Sequence, residues 1–389
     1  MHILFVSHEY HDSELPEAGG IGHFIFQFAN ELVKYGYQVS VIGYSDVSLS
    51  KMENGVGLYF FKSYISYFKG LYNIIERILH LAGLSSWLIP IMRIDRKILA
   101  RKIKQFVEEN SVDLVELNDY VGDGAYLDID TPTVLRAHGS YTVLHNEVGF
   151  RENKAFRFFE KLQIQKSGKA VAVSNYSKDM LQKHFDIKDV QVIHNGLDLE
   201  GYLATDLPKV KSILYFGTLS EAKGMDRLVQ IFNQLVLKDS EVKLKIAGKT
   251  KDYFEKKMLP AFSSEAKDRV QFLGYLDKTE LVKVLDQSSL LLFPSRIENF
   301  SLALLETMAS GRMAICWDIP SFRELIIDHQ NGCLVANVDQ AVEKIVRLLE
   351  DKDELLKISL LARKTIEQRF SWDKLVLENI SFYNNCIRE

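Results

Sequence analysis

The chain has 389 residues, of which 47% are hydrophobic and 26% are charged, and its formal net charge is -4. Because this length exceeds what one ordinary hydrophobic core serves, we expect two domains. The composition excludes a disordered or low-complexity protein, and the slightly acidic balance argues against nucleic acid as a partner.

The N-terminal segment lacks the basic start and the long apolar run of a secretory signal, so we expect a cytoplasmic protein. The best candidate for a membrane span lies between Arg77 and Arg93, and it is shorter than the about 20 apolar residues that a span needs. The cysteines Cys316, Cys333 and Cys386 follow no metal-site spacing. They predict buried, reduced thiols and no metal site.

Short apolar runs alternate with longer amphipathic patterns along the chain, which is typical of parallel βαβ units. In the first half, strands are predicted at 2–6, 38–42, 113–117, 133–137, 170–173 and 190–193, with a helix over 22–35. In the second half, strands are predicted at 212–216, 242–246, 270–273, 290–293, 313–316 and 333–335, and helices at 225–237, 278–286, 302–310, 322–327 and 338–350. The two series meet near residue 205, which predicts two Rossmann-like domains.

The segment LLLFPSRIENFSLALLETMASG, residues 290–311, places a polar loop between a buried strand and a helix. Pro294 ends the strand, and Ser301 is a good N-cap for the helix. Open α/β sheets bind ligands at the carboxyl ends of their strands, and a helix N-terminus suits a phosphate. Glu298 in the loop and Glu306 in the helix can both accept hydrogen bonds from sugar hydroxyls. A loop charge and a solvated helix residue remain the alternative.

Three further segments suit an anionic ligand. In LYFGTLSEAKGMDRL, residues 214–228, a loop carries Lys223, which can neutralise a diphosphate. Glycines at 19, 20 and 22 let backbone amides approach a phosphate, although they do not form a GxGxxG dinucleotide fingerprint. His138 follows a strand and can bind a ligand or transfer a proton. Each also has a plain structural alternative: a solvated lysine, a flexible loop and a histidine bonded to backbone.

The ordered set of motifs resembles the retaining GT-B glycosyltransferases of family 4 along nearly the whole chain. The motifs are GGIG at 19–22, HG at 138–139, VSNYSK at 173–178, VIHNGLD at 192–198, FGTLSEAKG at 216–224, the E-x7-E pair Glu298 and Glu306, ASGRMAICWD at 309–318, NGCLV at 331–335 and FSW at 370–372. The implied fold is α/β of GT-B type, with two Rossmann-like domains facing each other across a cleft. Residues 1–205 are expected to bind the acceptor and 206–370 the donor, while a helix at 371–389 packs back on the first domain.

The resemblance implies transfer of a hexose from a nucleotide-diphosphate sugar, with UDP favoured over GDP, and with retention of the anomeric configuration. The catalytic residues would be His138 beside the transferred sugar, Lys223 at the leaving phosphate and Glu298 on the sugar hydroxyls. Further donor contacts are expected at Gly19, Gly20, Gly217, Thr218, Gly274, Tyr275, Leu276, Asn299, Phe300, Ser301, Leu302, Ala303 and Glu306, with the base near 274–276 and the ribose on Glu306. No metal or other cofactor is expected.

Two positions depart from the family pattern. Thr218 stands where the family usually has an arginine, so one positive charge on the diphosphate is missing. Two alternatives follow: either Lys223 and backbone amides neutralise the diphosphate without this arginine, or Arg296 or Lys249 takes its place. Asn299 stands where glycine is common, and we expect it to affect the choice of sugar.

The stretch 59–104 interleaves aromatic and basic residues, and its last part, RIDRKILARKIK at 93–104, is strongly basic. Such a surface suits peripheral attachment to an anionic membrane and a glycan or lipid-linked acceptor for cell-envelope polysaccharide. Core packing with a solvated face is the alternative. Two other functions stay open: a non-catalytic GT-B partner subunit, suggested by Thr218, and a nucleotide-sugar epimerase. The missing fingerprint disfavours a dehydrogenase.

Overall fold

The computed structural model describes residues 1–150 and 152–388. Its strands are β1 His2–Val6, β2 Gln38–Ser45, β3 Leu49–Glu53, β4 Val56–Lys62, β5 Leu114–Asn118, β6 Thr133–Ala137, β7 Lys169–Ala172, β8 Val190–Val192, β9 Ser212–Phe216, β10 Lys243–Ala247, β11 Val270–Gly274, β12 Leu290–Phe293, β13 Met313–Trp317 and β14 Cys333–Val335. Its helices are α1 Gly20–Lys34, α2 Lys69–Leu81, α3 Ile89–Asn110, α4 Tyr141–Val148, α5 Lys154–Ile164, α6 Asn175–Phe185, α7 Met225–Lys238, α8 Lys251–Tyr253, α9 Ser264–Lys267, α10 Lys278–Asp286, α11 Leu302–Ala309, α12 Pro320–Arg323, α13 Val338–Glu350, α14 Lys352–Arg369 and α15 Trp372–Arg388. Glu389, the last residue of the predicted C-terminal helix, lies outside the described residues.

The chain divides into two compact units, one formed by 1–196 with 372–389 and the other by 197–371. The second unit thus begins before residue 205, near which the sequence patterns meet. Two hydrogen bonds explain the difference: the amide of Leu197 donates to the carbonyl of Phe370 at 2.9 Å, and the Arg312 guanidinium donates to the carbonyl of Thr205 at 2.8 Å. Both bonds lie within the second unit, so this segment folds with the sheet that follows it.

The first unit is built on an eight-stranded sheet of order β3-β4-β2-β1-β5-β6-β7-β8, in which only the β3–β4 pair is antiparallel. Strand β1 is buried at every position, as expected of a central parallel strand covered on both faces. Helix α1 buries Phe24, Phe28 and Leu32 on the face predicted from their spacing. The chain leaves β1 on one side toward β2 and returns on the other at β5, which makes the β1–β5 boundary a topological switch point.

The second unit is built on a six-stranded parallel sheet of order β11-β10-β9-β12-β13-β14. Its switch point lies between β9 and β12, which pair in parallel. The core of this unit is formed by apolar residues of the sheet and of flanking helices such as α7 and α13. Both units therefore have the parallel α/β architecture predicted from the sequence.

The helix predicted over 322–327 is wrong in extent, since α12 ends at Arg323. Beyond it, the Asn331 side chain accepts a hydrogen bond from the Ile327 amide at 2.7 Å and donates one to the Leu325 carbonyl at 3.0 Å. These bonds satisfy the backbone in a turn instead of in a continued helix.

Candidate functional site

Lys223 and Glu298 meet at the switch point of the second sheet. Lys223 lies in the loop after β9 and Glu298 in the loop after β12, and the Lys223 Nζ lies 2.7 Å from the Glu298 Oε1. The same carboxylate oxygen accepts a hydrogen bond from the Ser295 hydroxyl at 3.0 Å. The Lys223 side chain is 32% exposed and that of Glu298 is 10% exposed, so the pair is reachable by a ligand and partly shielded from water.

Glycines bring these loops close together. Gly224, at a φ of +72°, packs against the loop after β12, where a Cβ would come within 1.9 Å of the Pro294 carbonyl oxygen. Gly217, at a φ of +137°, donates its amide to the Ala247 carbonyl, and Gly248 donates to the Gly274 carbonyl. The carboxyl ends of β9, β10 and β11 are thereby joined by backbone hydrogen bonds.

Helix α11 begins beside Glu298. The Ser301 hydroxyl accepts a hydrogen bond from the Leu304 amide at 3.2 Å, which is the N-cap predicted from the sequence. Leu302 and Ala303 form the first turn and are half-buried, and the positive end of the helix dipole lies there. Phe300 is buried against Phe370, with ring centroids 5.9 Å apart, whereas Asn299 is half-buried in the loop.

Glu306 lies one turn further along α11 and is bound by a residue that the sequence analysis missed. The buried Tyr202 donates its hydroxyl to the Glu306 Oε1 at 2.9 Å. Burial raises the pKa of Glu306 to about 7, although the Tyr202 hydrogen bond and the charge of Lys278 work in the opposite direction. No sequence motif pointed to Tyr202, because it lies in an irregular segment.

The segment 274–276 follows β11 at the same edge of the sheet. Gly274 has a φ of +73° with open space where a Cβ would lie, and the Tyr275 side chain is 49% exposed. The Lys249 Nζ lies 4.7 Å from the centroid of the Tyr275 ring. Leu276 is half-buried beside them. This exposed aromatic surface could stack on a planar ring.

Thr218 is exposed in the loop after β9, and Tyr215 fixes its backbone by donating to the Thr218 carbonyl at 2.8 Å. Arg296, considered above as a substitute for the missing arginine, is engaged elsewhere. It forms a two-point ion pair with Asp226, at 2.6 and 2.7 Å, and donates to the Glu221 carbonyl. Arg296 therefore fastens the Lys223 loop to the Glu298 loop.

In the first unit, His138 follows β6 and is held through its backbone. Asp119 accepts hydrogen bonds from the amides of His138 at 2.8 Å and of Gly139 at 3.1 Å. Burial, with a smaller contribution from the Arg136 charge, lowers the pKa of His138 to about 3, so the imidazole is neutral at physiological pH. Burial and the nearby Glu160 raise the pKa of Asp119 to about 7.

The glycine-rich loop ends at the N-terminus of α1. Gly19 and Gly20 are both exposed. The amide of Gly19 donates to the Glu9 carboxylate at 3.0 Å, and that of Gly22 donates to the same oxygen at 3.3 Å. The Glu9 carboxylate thus accepts hydrogen bonds from two amides, of Gly19 and Gly22, that the sequence predicts to lie near a ligand.

The stretch 59–104 divides between core and surface. Phe60 is buried, and the Lys102 Nζ lies over the Phe61 ring at 4.0 Å, so part of the aromatic pattern is core packing. Arg96 is also buried, donating to the carbonyls of Val121 and Gly122, and does not contribute to a basic surface. Helix α2, however, has no buried residue. The exposed apolar side chains of this region are Tyr64, Tyr67, Phe68, Leu71, Ile74, Ile75, Ile78, Leu81, Leu84, Trp87, Ile94 and Ile98.

Three further features bear on the sequence predictions. All three cysteines are buried free thiols. Within the described residues, one cluster brings metal-type ligand atoms within 4.8 Å of one another, formed by Asp328, His329 and Cys333. The Lys344 ammonium contacts Asp328 at 3.2 Å and His329 at 3.3 Å, and its charge opposes a metal cation there. Among the described residues, no helix has the length and hydropathy required to cross a bilayer.

Comparisons with known proteins agree with this architecture. Residues 18–200 match the family model described as Glycosyltransferase Family 4, and residues 206–365 match that of Glycosyl transferases group 1. The GDP-mannose:cellobiosyl-diphosphopolyprenol alpha-mannosyltransferase of Xanthomonas campestris is 24% identical, over 66% of this chain and 68% of that protein. The structure is similar to that of sucrose-phosphate synthase from Thermosynechococcus elongatus, with a TM-score of 0.78, 17% identity and coverage of 99% and 98% of the two chains. It is also similar to HepE of Anabaena in complex with UDP and glucose, with a TM-score of 0.75, 18% identity and coverage of 99% and 100%. The chain therefore belongs to the family 4 glycosyltransferases and has their GT-B fold.

Proposed function

We propose that this glycosyltransferase moves a hexose from a nucleotide-diphosphate sugar to a glycan or lipid-linked acceptor of the cell envelope, with retention of the anomeric configuration. The observation that carries the proposal is the Lys223–Glu298 pair, 2.7 Å apart beside the first turn of α11. A nucleotide sugar requires these groups at one place: a lysine and the first-turn amides of a helix to bind the diphosphate, and a carboxylate to bind the sugar.

Each group has a role in the proposed reaction. Lys223 and the amides of Leu302 and Ala303 neutralise the charge that develops on the leaving diphosphate. Glu298 accepts hydrogen bonds from the sugar hydroxyls and orients the ring. The acceptor attacks on the face that the diphosphate leaves, the C1–O bond to the phosphate breaks as the new glycosidic bond forms, and the departing phosphate oxygen takes the acceptor proton.

The remaining donor contacts follow the same proposal. Glu306, held by Tyr202, binds the ribose hydroxyls, and the loop 274–276 with its exposed Tyr275 binds the base. His138 is neutral and therefore donates a single hydrogen bond to the transferred sugar rather than acting as a charged acid. We propose a reaction independent of metal, because the lysine and the helix amides supply the positive charge.

We favour UDP as the nucleotide, with GDP as the runner-up. The HepE structure was solved with UDP and glucose, whereas the Xanthomonas relative is named for GDP-mannose. The cation–π contact of Lys249 with Tyr275 provides a stacking surface that accepts either ring.

The donor proposal is tested by thermal-shift titration of the full chain with UDP, GDP and ADP. Selective stabilisation by one nucleotide, amounting to about 2.7 kcal/mol at 100 times its Kd, is expected. It should be lost in Lys223→Ala and Glu306→Ala and kept in Lys256→Ala, which removes an exposed lysine paired with Asp252. No response at millimolar nucleotide would favour a non-catalytic partner subunit, and conversion of a nucleotide sugar without acceptor would favour an epimerase.

We also propose that the exposed face of α2 and its flanking segments binds the surface of an anionic membrane. Leu71, Ile74 and Ile78 follow one another at helical spacing and are each about 60% exposed. Exposed basic residues, Arg77 on the helix and Arg93 beyond it, accompany this apolar face. Apolar insertion combined with attraction to anionic headgroups is the usual basis of peripheral binding, and it would place the enzyme beside a lipid-linked acceptor.

Co-sedimentation with vesicles containing phosphatidylglycerol tests this membrane contact. The double variant Ile74→Asp/Ile78→Asp should bind at least about tenfold less, since two exposed side chains no longer enter the bilayer and each adds a negative charge. Leu237→Asp is the matched control, because the apolar side chain of Leu237 lies in the second unit and is 76% exposed. Equal binding by the double variant and the wild type would contradict the proposal.

A further inference from the structure

The switch point of the first sheet carries charged side chains that the donor proposal does not use. His8 and Glu9 follow β1, and Asp123 lies in the loop region after β5, so all three lie at the carboxyl edge of neighbouring strands. This is the position at which open α/β sheets bind ligands. Lys223 and Glu298 occupy the equivalent position in the second unit.

His8 and Asp123 form a tightly bonded pair. The His8 Nδ1 lies 2.7 Å from the Asp123 Oδ2, and Tyr44 donates its hydroxyl to the other carboxylate oxygen at 2.6 Å. The Arg96 guanidinium lies 4.0 Å from the same carboxylate. Burial is the largest single influence and works against a charged imidazole, but the charge and hydrogen bond of Asp123, together with the charge of Glu9, outweigh it and raise the pKa of His8. With Nδ1 bonded to the carboxylate, Nε2 remains to face a ligand.

Glu9 is fixed beside this imidazole through one oxygen. Its Oε2 accepts from the amides of Gly19 at 3.0 Å and Gly22 at 3.3 Å. Its Oε1 lies 3.8 Å from the His8 Nε2, which is too long for a direct hydrogen bond. The two side chains are 24% and 25% exposed, whereas that of Asp123 is 4% exposed. An imidazole nitrogen and a carboxylate oxygen thus lie side by side, on side chains that are both partly open to solvent.

The backbone that carries this pair is held closely. The Ser7 hydroxyl donates to the Glu9 carbonyl at 2.9 Å. Gly43 of β2 lies so near that a Cβ there would come within 1.8 Å of the Ser7 carbonyl oxygen. The rings of Tyr44 and Tyr120 flank His8, with centroids 6.3 and 6.4 Å from its own. Their apolar faces suit the C–H face of a pyranose ring.

We propose that His8 and Glu9 together bind one hydroxyl group of the acceptor glycan and thereby select the acceptor. A hydroxyl is both a donor and an acceptor, so its proton bonds to the Glu9 Oε1 while its oxygen accepts from the His8 Nε2. Asp123 is a positioning residue, since it acts through the imidazole. The hydroxyl bound here is not the attacking one, because a hydrogen bond donated to its oxygen by the His8 Nε2 would reduce its nucleophilicity. This assignment rests on the proposed function and adds the recognition of the acceptor to it.

The test uses four octyl glycosides as acceptor probes: glucoside, mannoside, galactoside and N-acetylglucosaminide. Monodeoxy analogues of whichever glycoside is used best locate the hydroxyl that is bound. For the wild type, removal of one particular hydroxyl should lower kcat/KM about 10- to 100-fold, as expected for a hydrogen bond to charged groups. In His8→Phe and Glu9→Ala that analogue should react within about twofold of the parent glycoside.

Two controls separate this inference from the function on which it rests. Glu14→Ala changes an exposed carboxylate of the same loop and should keep the wild-type discrimination. Stabilisation by the nucleotide should be the same in His8→Phe as in the wild type. If the wild type itself binds no nucleotide, that result counts against the donor proposal alone. The acceptor assignment is overturned if nucleotide binds but no octyl glycoside is used, if no single hydroxyl matters, or if both variants discriminate like the wild type.

Discussion

At the scale of single residues, Lys223 and Glu298 bind each other in the free protein, and we propose that each binds a different part of the nucleotide sugar. In the free protein the carboxylate holds the ammonium in place at 2.7 Å. When a nucleotide sugar binds, we propose that the ammonium turns to the diphosphate and the carboxylate to the sugar. Partly exposed ion pairs contribute little to folding stability, so the pair is better explained by binding than by stability.

If the pair serves binding, removal of the Lys223 ammonium should have a large kinetic effect. Lys223→Ala should lower kcat for donor turnover about 10²- to 10³-fold, the range seen when one charge-stabilising donor is removed from an active site. Initial-rate kinetics at saturating donor measure the effect, with Lys256→Ala as the exposed-lysine control. A kcat within about threefold of the wild type would show that Lys223 is not at the leaving group.

Glu306 gives a prediction about pH. Its pKa of about 7 exceeds the ordinary value of 4.5, so between these values the folded chain retains a proton that the unfolded chain releases. The stability contributed by this group is therefore complete below the unfolded pKa and is lost as the pH rises through 7. Raising the pH from about 5 to about 8 should therefore lower the Tm of Glu306→Gln less than that of the wild type. The difference should be about 2–4 °C in Tm for each kcal/mol of stability that the variant does not lose. Parallel Tm profiles for the two proteins would contradict the assignment.

At the scale of elements, α15 is anchored to the first sheet by a buried polar network. Arg136 of β6 donates to the Glu116 carboxylate of β5 at 2.7 and 3.0 Å. From α15, Asn379 and Tyr383 accept hydrogen bonds from the same guanidinium at 2.6 and 3.2 Å. Trp372 at the helix start packs parallel to Phe28, with ring centroids 5.2 Å apart. These contacts explain why the last helix belongs to the first unit.

Removal of Arg136 should destabilise the protein strongly, because it leaves the buried Glu116 charge unpaired. Arg136→Leu is expected to cost about 3–5 kcal/mol in the free energy of unfolding, measured by urea denaturation. The control is Arg323→Leu, which breaks an exposed two-point pair with Asp318 and should cost less than about 1 kcal/mol. Similar losses in the two variants would show that the buried network does not stabilise α15.

Some elements were predictable and others were not. The strands of the second sheet were predicted within about two residues, because a buried parallel strand is a short continuous apolar run. Helix α14 was not predicted, although Leu355, Ile358, Ala362 and Ile366 have the spacing of a helix face. Strand β3 was missed for a physical reason: it is an antiparallel edge strand with no fully buried residue, so its sequence LSKME carries little pattern.

At the scale of the whole molecule, the two switch points explain what the sequence alone could not show. Lys223 and Glu298 lie in loops far apart along the chain, and they meet only because β9 pairs with β12. Local patterns do not encode strand order, so the sequence indicated each residue through its own loop segment and the family resemblance, and it did not show that the two residues lie close together. Asp123 pairs with His8 for the same reason, because β1 pairs with β5. No sequence motif indicated this pair.

Retaining transfer from a nucleotide sugar can be recognised by the anomeric configuration of the product. The wild-type chain would be incubated with UDP-glucose, or with the sugar conjugate of whichever nucleotide stabilises it, together with an octyl glycoside acceptor. Time-resolved ¹H NMR would follow the anomeric protons. We expect the α-linked donor to give an α-linked product, at a rate that falls about 10²- to 10³-fold in Lys223→Ala. A β-linked product, or transfer at the wild-type rate by Lys223→Ala, would contradict it.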